Sequence, residues 1–265
     1  MRGIIKRLNE ASLNQGLVIS ANKSYGKTNS LQVLLSKQPR NVIDIVIDYA
    51  TQHCFKLGEK FQVEFMSKDY WLRNPHIRVT CDKILDFSQT TKKTAGEIVR
   101  DMIKQEYDLR VAQVIESFRL GLPRTVKAPW FRYWFEESQD LIGRYLKSDD
   151  DLKTVFCVGR NFKLSFGFLT QRLADLNTQL VERSAFLVGR QTGDNNLRKI
   201  SSTFGLPRRK VKFIESLPVG DFVFYSGVRI EHIKFPLFEG EGRAYELASS
   251  VVRKRSRLGG LLNSR

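Results

Sequence analysis

The sequence predicts an α/β fold with a mainly parallel sheet, and three observations support this class. Short β-branched or aromatic runs alternate with stretches of helical periodicity, as crossover connections between parallel strands require. The first apolar run, residues 16–20, ends in a tight loop, and a helical pattern starts at Thr28. The 265 residues, 42% of them hydrophobic, suffice to bury a core in one large domain or two small ones.

The first half of the chain contains six predicted elements after the loop. Residues 1–15 mix apolar and charged side chains, which favours a short arm packed on the core. Leucines at helical spacing follow the loop, and this helix ends before Pro39. Beyond it, the pattern predicts strands at residues 41–49, 61–66, 77–81 and 84–88, and a long helix at 94–120.

The second half opens with an aromatic strand at residues 130–135. The periodicity then predicts helices at residues 141–146, 151–158, 173–183 and 195–204, and strands at 164–170 and 185–189. Two hairpin-like strands, 221–226 and 229–235, precede a basic helical tail that starts near Arg243. We therefore expect an N-terminal arm at 1–15, one domain at 16–242 and a basic tail at 243–265.

The loop after the first strand has the spacing of a P-loop, whose backbone N–H groups cradle nucleotide phosphates. Its residues are Ala21, Asn22, Lys23, Ser24, Tyr25, Gly26, Lys27 and Thr28. Lys27 would reach the β- and γ-phosphates and the Thr28 hydroxyl would ligate Mg²⁺. Ala21 stands where the first loop glycine is usual, so that turn must suit a Cβ. The alternative interpretation is a polar surface turn.

Two carboxylates, Glu136 and Glu137, follow the aromatic strand directly. Nucleotide hydrolysis needs an acid near Mg²⁺ and a group that orients or deprotonates water. Glu136 is the candidate for the Mg²⁺ shell, through a water, and Glu137 for polarising the attacking water. Acids are also common in the first turn of a helix, because the helix dipole favours them there.

The formal net charge of +16 indicates an anionic partner larger than a nucleotide. Residues 198–212 contain six basic side chains and no acid, and residues 243–265 contain six against Glu246 alone. This distribution favours a track along a phosphate backbone, and solubility is the alternative. The three cysteines and three histidines show no disulfide or metal-binding spacing, and no apolar run reaches about 18 residues. We therefore expect a cytoplasmic protein without a membrane span.

Three blocks of sequence resemble the FtsK–HerA superfamily of P-loop ATPases, and its plasmid- and virus-encoded HerA-like members in particular. They are ANKSYGKT, YWFEESQ and GRNFKLSFGFLTQRLADLNTQLVERSAFLVG, and the resemblance covers roughly residues 16–238. It implies a RecA-like P-loop core, here with a small antiparallel hairpin and a basic tail. Members of this superfamily are ring-forming motors that move DNA through a central channel.

The resemblance also implies roles for single residues. The Walker A lysine and hydroxyl correspond to Lys27 and Thr28, and the Walker B acids to Glu136 and Glu137, although the first of these is more often Asp. Gln171 corresponds to the polar sensor that meets the γ-phosphate or the attacking water. Arg160 corresponds to an arginine that acts in a neighbouring subunit's site. Other arginines compete for that role: Arg172, Arg183 and Arg190.

Together, these features predict Mg²⁺-dependent ATP hydrolysis coupled to DNA movement by a homo-hexamer, as in viral genome packaging or plasmid transfer. One alternative is a motor that extrudes filamentous virions, although such a motor would be expected to have a membrane span. Another is a basic nucleic-acid-binding protein with a degenerate site that binds but does not hydrolyse the nucleotide.

Overall fold

The computed structural model describes nine segments of the chain. They are residues 2–37, 39, 41–48, 76–80, 94–121, 130–141, 150–176, 178–227 and 230–237. The strands predicted at 61–66 and 84–88, the end of the helix predicted at 141–146 and the basic tail from residue 243 lie outside these segments. No helix among the described residues is long and apolar enough to span a membrane.

Eight strands form one sheet in the order β3-β2-β4-β5-β1-β6-β7-β8. All neighbouring pairs from β3 to β6 are parallel, whereas β7 and β8 extend the sheet as an antiparallel hairpin beside β6. The strands are β1 (Leu17–Ser20), β2 (Val42–Asp48), β3 (His76–Thr80), β4 (Trp130–Phe135), β5 (Leu164–Thr170), β6 (Ala185–Val188), β7 (Asp221–Tyr225) and β8 (Ile230–Lys234). The predicted α/β class with a mainly parallel sheet is therefore confirmed.

Eight α-helices connect and cover these strands within the described segments. They are α1 (Arg2–Gln15), α2 (Lys27–Ser36), α3 (Ala95–Arg119), α4 (Ser138–Leu141), α5 (Asp150–Val158), α6 (Thr178–Arg183), α7 (Asp194–Phe204) and α8 (Arg208–Glu215). The predicted arm at 1–15 is a full helix, since Ile5 and Leu8 are buried against the sheet. The single helix predicted at 173–183 is instead a 3-10 turn, Leu173–Asp175, followed by α6.

The core lies in two layers, one on each face of the sheet. Helices α1 and α2 cover one face, and their apolar side chains pack against Leu17, Ile19 and Trp134. Helices α3, α5, α7 and α8 cover the other face, where aromatic side chains of β4, β5 and β6 dominate. Gly167 lies beside Trp134 in the β4–β5 register, and a Cβ on Gly167 would come 1.9 Å from the indole ring. Only glycine therefore leaves room for the buried Trp134.

Helix α3 shows why the chain forms these elements where it does. Thr94 accepts a hydrogen bond from the Glu97 backbone N–H, and the Glu97 carboxylate accepts one from the Thr94 backbone N–H. This capping box satisfies two backbone donors that the first turn of a helix leaves open. The pKa of the Glu97 carboxyl group is lowered, chiefly because it accepts hydrogen bonds from the backbone N–H and the hydroxyl of Thr94.

Candidate nucleotide site

The P-loop motif lies between the end of β1 and the start of α2, as predicted. Ser24 and Gly26 both have positive φ values, of 64° and 93°. Such left-handed residues next to right-handed ones turn backbone N–H groups toward one concave side, which suits an anion. Helix α2 begins at Lys27, so its first-turn N–H groups and the positive end of its dipole face the same region.

Ala21 takes the place of the usual first loop glycine without strain. It is not among the residues with positive φ, so its Cβ costs nothing in backbone conformation. The space for that Cβ is left by Gly189, where a Cβ would come 2.9 Å from the Ala21 Cβ. The backbone N–H of Asn22 donates to the Arg190 carbonyl at 2.8 Å, so the end of β6 holds the loop.

Lys27 is 8% exposed, and its ammonium group lies in the field of two carboxylates. Burial lowers the Lys27 pKa below its ordinary value of 10.5, while Glu137 and Glu136 act in the opposite direction. A buried cation beside a concave loop is electrostatically incomplete, because its lost hydration is replaced only in part. A phosphate group would supply the missing negative charge.

The two carboxylates follow β4, which lies two strands from β1 in the sheet. Glu136 is 2% exposed, and its Oε1 accepts a hydrogen bond from the Thr28 hydroxyl at 3.2 Å. A hydroxyl and a carboxylate are the oxygen ligands that Mg²⁺ prefers. Among the described residues, no group of three or more His, Cys, Asp or Glu could hold a metal. A Mg²⁺ ion here would therefore depend on phosphate oxygens and water to complete its shell.

Glu137 is held in place by two amides. Gln171 Nε2 donates to its Oε1 at 2.7 Å, and Gln139 Nε2 donates to its Oε2 at 2.7 Å. Gln139 is in turn fixed by the Thr170 hydroxyl, which donates to its Oε1 at 2.7 Å. The Glu137 backbone has a φ of 47°, a left-handed conformation that is uncommon for a residue with a side chain. With this turn, the two consecutive carboxylates have different partners: Glu136 meets Thr28, and Glu137 meets the two amides.

Arg160 lies at the opposite edge of the sheet. It belongs to the 3-10 turn Gly159–Phe162 that precedes β5, and its exposed guanidinium donates to the Asn14 carbonyl at 3.3 Å. Gln171 follows the other end of β5, whose seven residues span roughly 23 Å at about 3.3 Å each. Arg160 is therefore remote from the P-loop of its own chain.

The rival arginines occupy three different places. Arg190 lies beside the loop, donates to the Tyr25 hydroxyl at 2.8 Å and stacks over its ring. Arg172 is exposed, and its Nη1 lies 4.0 Å from Asp175 Oδ2. Arg183 lies with Arg160 at the amino edge of the sheet, along a cavity of about 480 Å³. Arg160 and Arg183 thus share a location, and Arg190 contacts the P-loop of its own chain.

Several polar residues at the carboxyl edge of the sheet, near Glu137, were not singled out by the sequence. Gln139 and Thr170 position Glu137, and Asn196 and Gln191 connect the ends of β5, β6 and β1. Gln139 lies close to the acid pair in sequence and could have been suspected. Asn196 and Gln191 look like ordinary surface polar residues, and only the fold shows their contacts.

The chain combines a mainly parallel α/β fold of the P-loop type with this loop and acid pair, and known structures share the fold. The genome packaging NTPase B204 of Sulfolobus turreted icosahedral virus 2, in complex with ATP-gammaS, has a TM-score of 0.55 and 15% identity, over 82% of this chain and 95% of that one. The pCW3 conjugation coupling protein TcpA, with ATPgS, has a TM-score of 0.56 and 13% identity, over 92% of this chain and 66% of that one.

EssC (ATPases 2 and 3) from Geobacillus thermodenitrificans is similar as well, with a TM-score of 0.52 and 14% identity, over 92% of this chain and 44% of that one. The fold that the resemblance to the FtsK–HerA superfamily implied is therefore confirmed. No protein-family model matches the sequence, and no curated protein matches it significantly.

Proposed function

We propose that this protein is a Mg²⁺-dependent ATPase that moves DNA as a ring of identical subunits. One observation carries the hydrolytic part of the proposal. The fold brings Lys27 and Thr28 of the loop together with Glu136 and a Glu137 carboxylate clamped by two amides. These residues are more than 100 positions apart in the sequence. The similar structures with bound ATP analogues support nucleotide binding at such a loop.

In this proposal the loop residues 21–28 bind the triphosphate. The backbone N–H groups and the dipole of α2 hold the phosphate oxygens, and Lys27 contacts the β- and γ-phosphates. The Thr28 hydroxyl and, through water, the Glu136 carboxylate hold Mg²⁺. When bound, Mg²⁺ neutralises charge on the β- and γ-phosphates. The longer side chain of Glu136, compared with Asp, is compatible with a contact through water.

Glu137 acts on the attacking water. Its carboxylate accepts a proton from that water as the new bond to the γ-phosphorus forms and the bond to the ADP oxygen breaks. The two amide donors hold the carboxylate in one orientation, so little reorganisation is needed before the reaction. Gln171 serves as the sensor, because its amide donates directly to the Glu137 carboxylate that acts on the water.

Arg160 completes the site of a neighbouring subunit. Its remote position from its own loop, together with its exposure, supports this assignment. A guanidinium placed beside the γ-phosphate stabilises the charge that develops in the transition state. Arg183 is the remaining competitor, since it lies at the same edge.

The DNA-binding surface includes the outer face of α7 and α8. Leu197, Ile200, Val211 and Ile214 face the core, whereas Arg198, Arg209, Lys210 and Lys212 are exposed. Cations on one exposed face bind a phosphate backbone by releasing condensed counterions, without reading bases. The tail at 243–265 is the second basic segment that we assign to DNA.

ATP hydrolysis by the purified protein tests the proposal directly. Lys27→Ala should abolish ATP binding, since it removes the loop's charge on the phosphates. Glu137→Gln should bind ATP but lower kcat by about a hundredfold or more, as expected for loss of a general base. Glu116→Gln, at an exposed carboxylate on α3, makes the same chemical change away from the site and from Arg160, and should leave kcat unchanged. Native turnover by Glu137→Gln would contradict the assignment.

The same assay, with duplex DNA added at several salt concentrations, tests the coupling to DNA. We expect stimulation at low salt that disappears by a few hundred millimolar, as for several phosphate contacts. Alanine at Arg209, Lys210 and Lys212 should reduce the slope of log affinity against log salt by about two to three. Alanine at Lys6, Arg119 and Lys234 removes equal charge elsewhere and serves as the control. If DNA does not change the ATPase activity, the proposal of DNA movement is wrong and the protein is an ATPase with another function.

A further inference from the structure

A small network of polar side chains joins the carboxyl ends of three parallel strands to the first turn of α7, and Asn196 is its centre. The Asn196 Nδ2 group donates to the Gln171 carbonyl at 3.3 Å and to Gln191 Oε1 at 3.0 Å. Its Oδ1 accepts from the Ala174 backbone N–H at 3.0 Å. Gln191 Nε2 then donates to the Ser20 hydroxyl at 2.8 Å, and both of these side chains are fully buried.

The orientation of the Asn196 amide is fixed by its backbone partners. A carbonyl can only accept and a backbone N–H can only donate, so Nδ2 must face Gln171 and Oδ1 must face Ala174. The two N–H groups of Asn196 are thereby both used, and the amide holds the chain on each side of Arg172. Asn therefore supplies two donors and one acceptor at this point, a combination that neither a carboxylate nor a hydroxyl offers.

The residue that Asn196 holds is one of the two whose amides donate to the Glu137 carboxylate. Gln171 Nε2 lies 2.7 Å from Glu137 Oε1, and the Gln171 carbonyl lies against Asn196. A displacement of the Gln171 side chain at the γ-phosphate thus reaches α7 through one residue. Arg198, on the exposed side of α7, is two positions away from Asn196.

We propose that Asn196 is a positioning residue that sets Gln171 against Glu137 and transmits the nucleotide state from the end of β5 to α7. This inference rests on the proposed function, in which Gln171 meets the γ-phosphate. Ser20, the last residue of β1, and Gln191, just after β6, support Asn196 from the opposite side. Helix α7 and its basic outer face then move with the site instead of independently of it.

Asn196→Asp is the sharpest test, because it keeps the shape of the side chain and reverses its hydrogen-bonding. The carboxylate would still accept from Ala174, and the Gln191 amide can rotate to donate to it, but it would face the Gln171 carbonyl without a proton to donate. Asn195→Asp is the matched control. Asn195 lies on the same turn of α7 and its side chain is exposed.

Hydrogen exchange of the α7 backbone amides, with and without ATPγS, provides the main readout. We expect ATPγS to slow this exchange in the native protein and in Asn195→Asp, and to leave it unchanged in Asn196→Asp that has bound the nucleotide. In steady-state assays, Asn196→Asp should lower kcat about tenfold or more and keep KM within about twofold. Asn196→Ala, which removes the three bonds without repulsion, replaces it if thermal unfolding shows that Asn196→Asp is not folded.

Two results would overturn the proposal. The first is that ATPγS does not change hydrogen exchange of α7 in the native protein. The second is that ATPγS slows this exchange equally in Asn196→Asp and in the native protein. Failure of the proposed function is recognised separately. A protein that binds ATPγS but is insensitive to DNA would refute DNA movement, while the exchange comparison between the Asn196 and Asn195 variants would still decide the role of Asn196.

Discussion

The electrostatic environment of Lys27 is set by opposing effects. Burial lowers its pKa, and the carboxylates of Glu137 and Glu136 counteract this only in part. A lysine that gives up its proton below the usual range cannot hold a triphosphate equally well at every alkaline pH. The same burial that prepares the ammonium for phosphate therefore makes its charge sensitive to pH.

Nucleotide affinity should fall at alkaline pH, starting below the ordinary lysine value of 10.5. Phosphate favours the charged form, so the Lys27 pKa is higher in the complex than in the free protein. Binding consequently takes up a proton above the free pKa, and affinity declines by up to about tenfold per pH unit there. The measurement is the dissociation constant of a fluorescent ATP analogue across this range.

Lys27→Arg provides the control for this pH dependence. A guanidinium stays protonated throughout the range, so whatever affinity the variant retains should show no decline from this position. An equal decline in both proteins would place the titrating group elsewhere.

Strand β4 shows where sequence reasoning succeeds and where it stops. Its aromatic run predicted the strand at 130–135, which the structure confirms, and the two acids follow the end of this strand. Both features come from the local pattern. The middle of the strand carries Arg132, which is completely buried. Its partners, Asp44, Asn9 and Ser12, lie at least 88 positions away. No local pattern identifies contacts at such a separation.

The same limit explains the other differences. Residues 1–15 looked like an arm because their charged side chains interrupt the apolar ones, yet Asn9 and Ser12 bind Arg132 and hold a full helix on the sheet. Helix α8 was seen in the sequence only as part of a basic run, since its core contacts come from Val211 and Ile214 alone. The contacts of Gln191 and Asn196 form only where the fold brings three strand ends together, so the sequence alone does not reveal them.

Arg132→Met should destabilise the protein by about 3–5 kcal/mol, the usual cost of leaving one member of a buried ion pair without its partner. Asp44 would keep the hydrogen bond from the Trp134 Nε1 group at 2.7 Å but lose both bonds from the guanidinium. The free energy of unfolding from urea titrations measures this. The loss should also loosen α1, which Arg132 binds through Asn9 and Ser12.

Arg7→Met is the control for the loss of an arginine from an ion pair. Arg7 binds Glu231 at 2.7 Å, but both side chains are accessible to solvent, so this change should cost no more than about 1 kcal/mol. Equal effects of the two substitutions would mean that the buried cluster contributes little to the fold.

At the scale of the whole molecule, the sheet has two chemically different edges. The carboxyl edge carries the P-loop, Glu136 and Glu137, whereas the amino edge carries Arg160 and Arg183. Two carboxylates at one edge and two exposed arginines at the other complement each other when copies associate head to tail. Such heterologous contacts close into rings when the rotation between subunits allows it.

A mixing experiment tests whether the site is shared. Arg160→Ala alone should bind ATP but be nearly inactive, because each site lacks the neighbour's guanidinium. Rings that contain both Arg160→Ala and Lys27→Ala subunits should recover some activity, since a Lys27→Ala subunit donates an intact Arg160 to an intact loop. ATPase activity in rings shown by native mass spectrometry to be mixed is the measurement.

Arg183→Ala serves as the comparison within the same edge. If it, instead of Arg160→Ala, shows the pattern of inactivity and recovery, the trans arginine is Arg183. Absence of recovery for both in mixed rings would argue that the site is complete within one subunit.

The contact between Ala21 and Gly189 has a consequence for how this site can vary among related sequences. The two positions together have room for a single methyl group, because a Cβ on Gly189 would come 2.9 Å from both the Ala21 Cβ and the Phe222 ring. A P-loop that keeps glycine at position 21 releases the constraint from Ala21, but the Phe222 ring still crowds position 189. Substitutions at 21 and 189 are therefore expected to depend on each other, and on the size of the ring at 222, so that each change is tolerated only in the background that makes space for it.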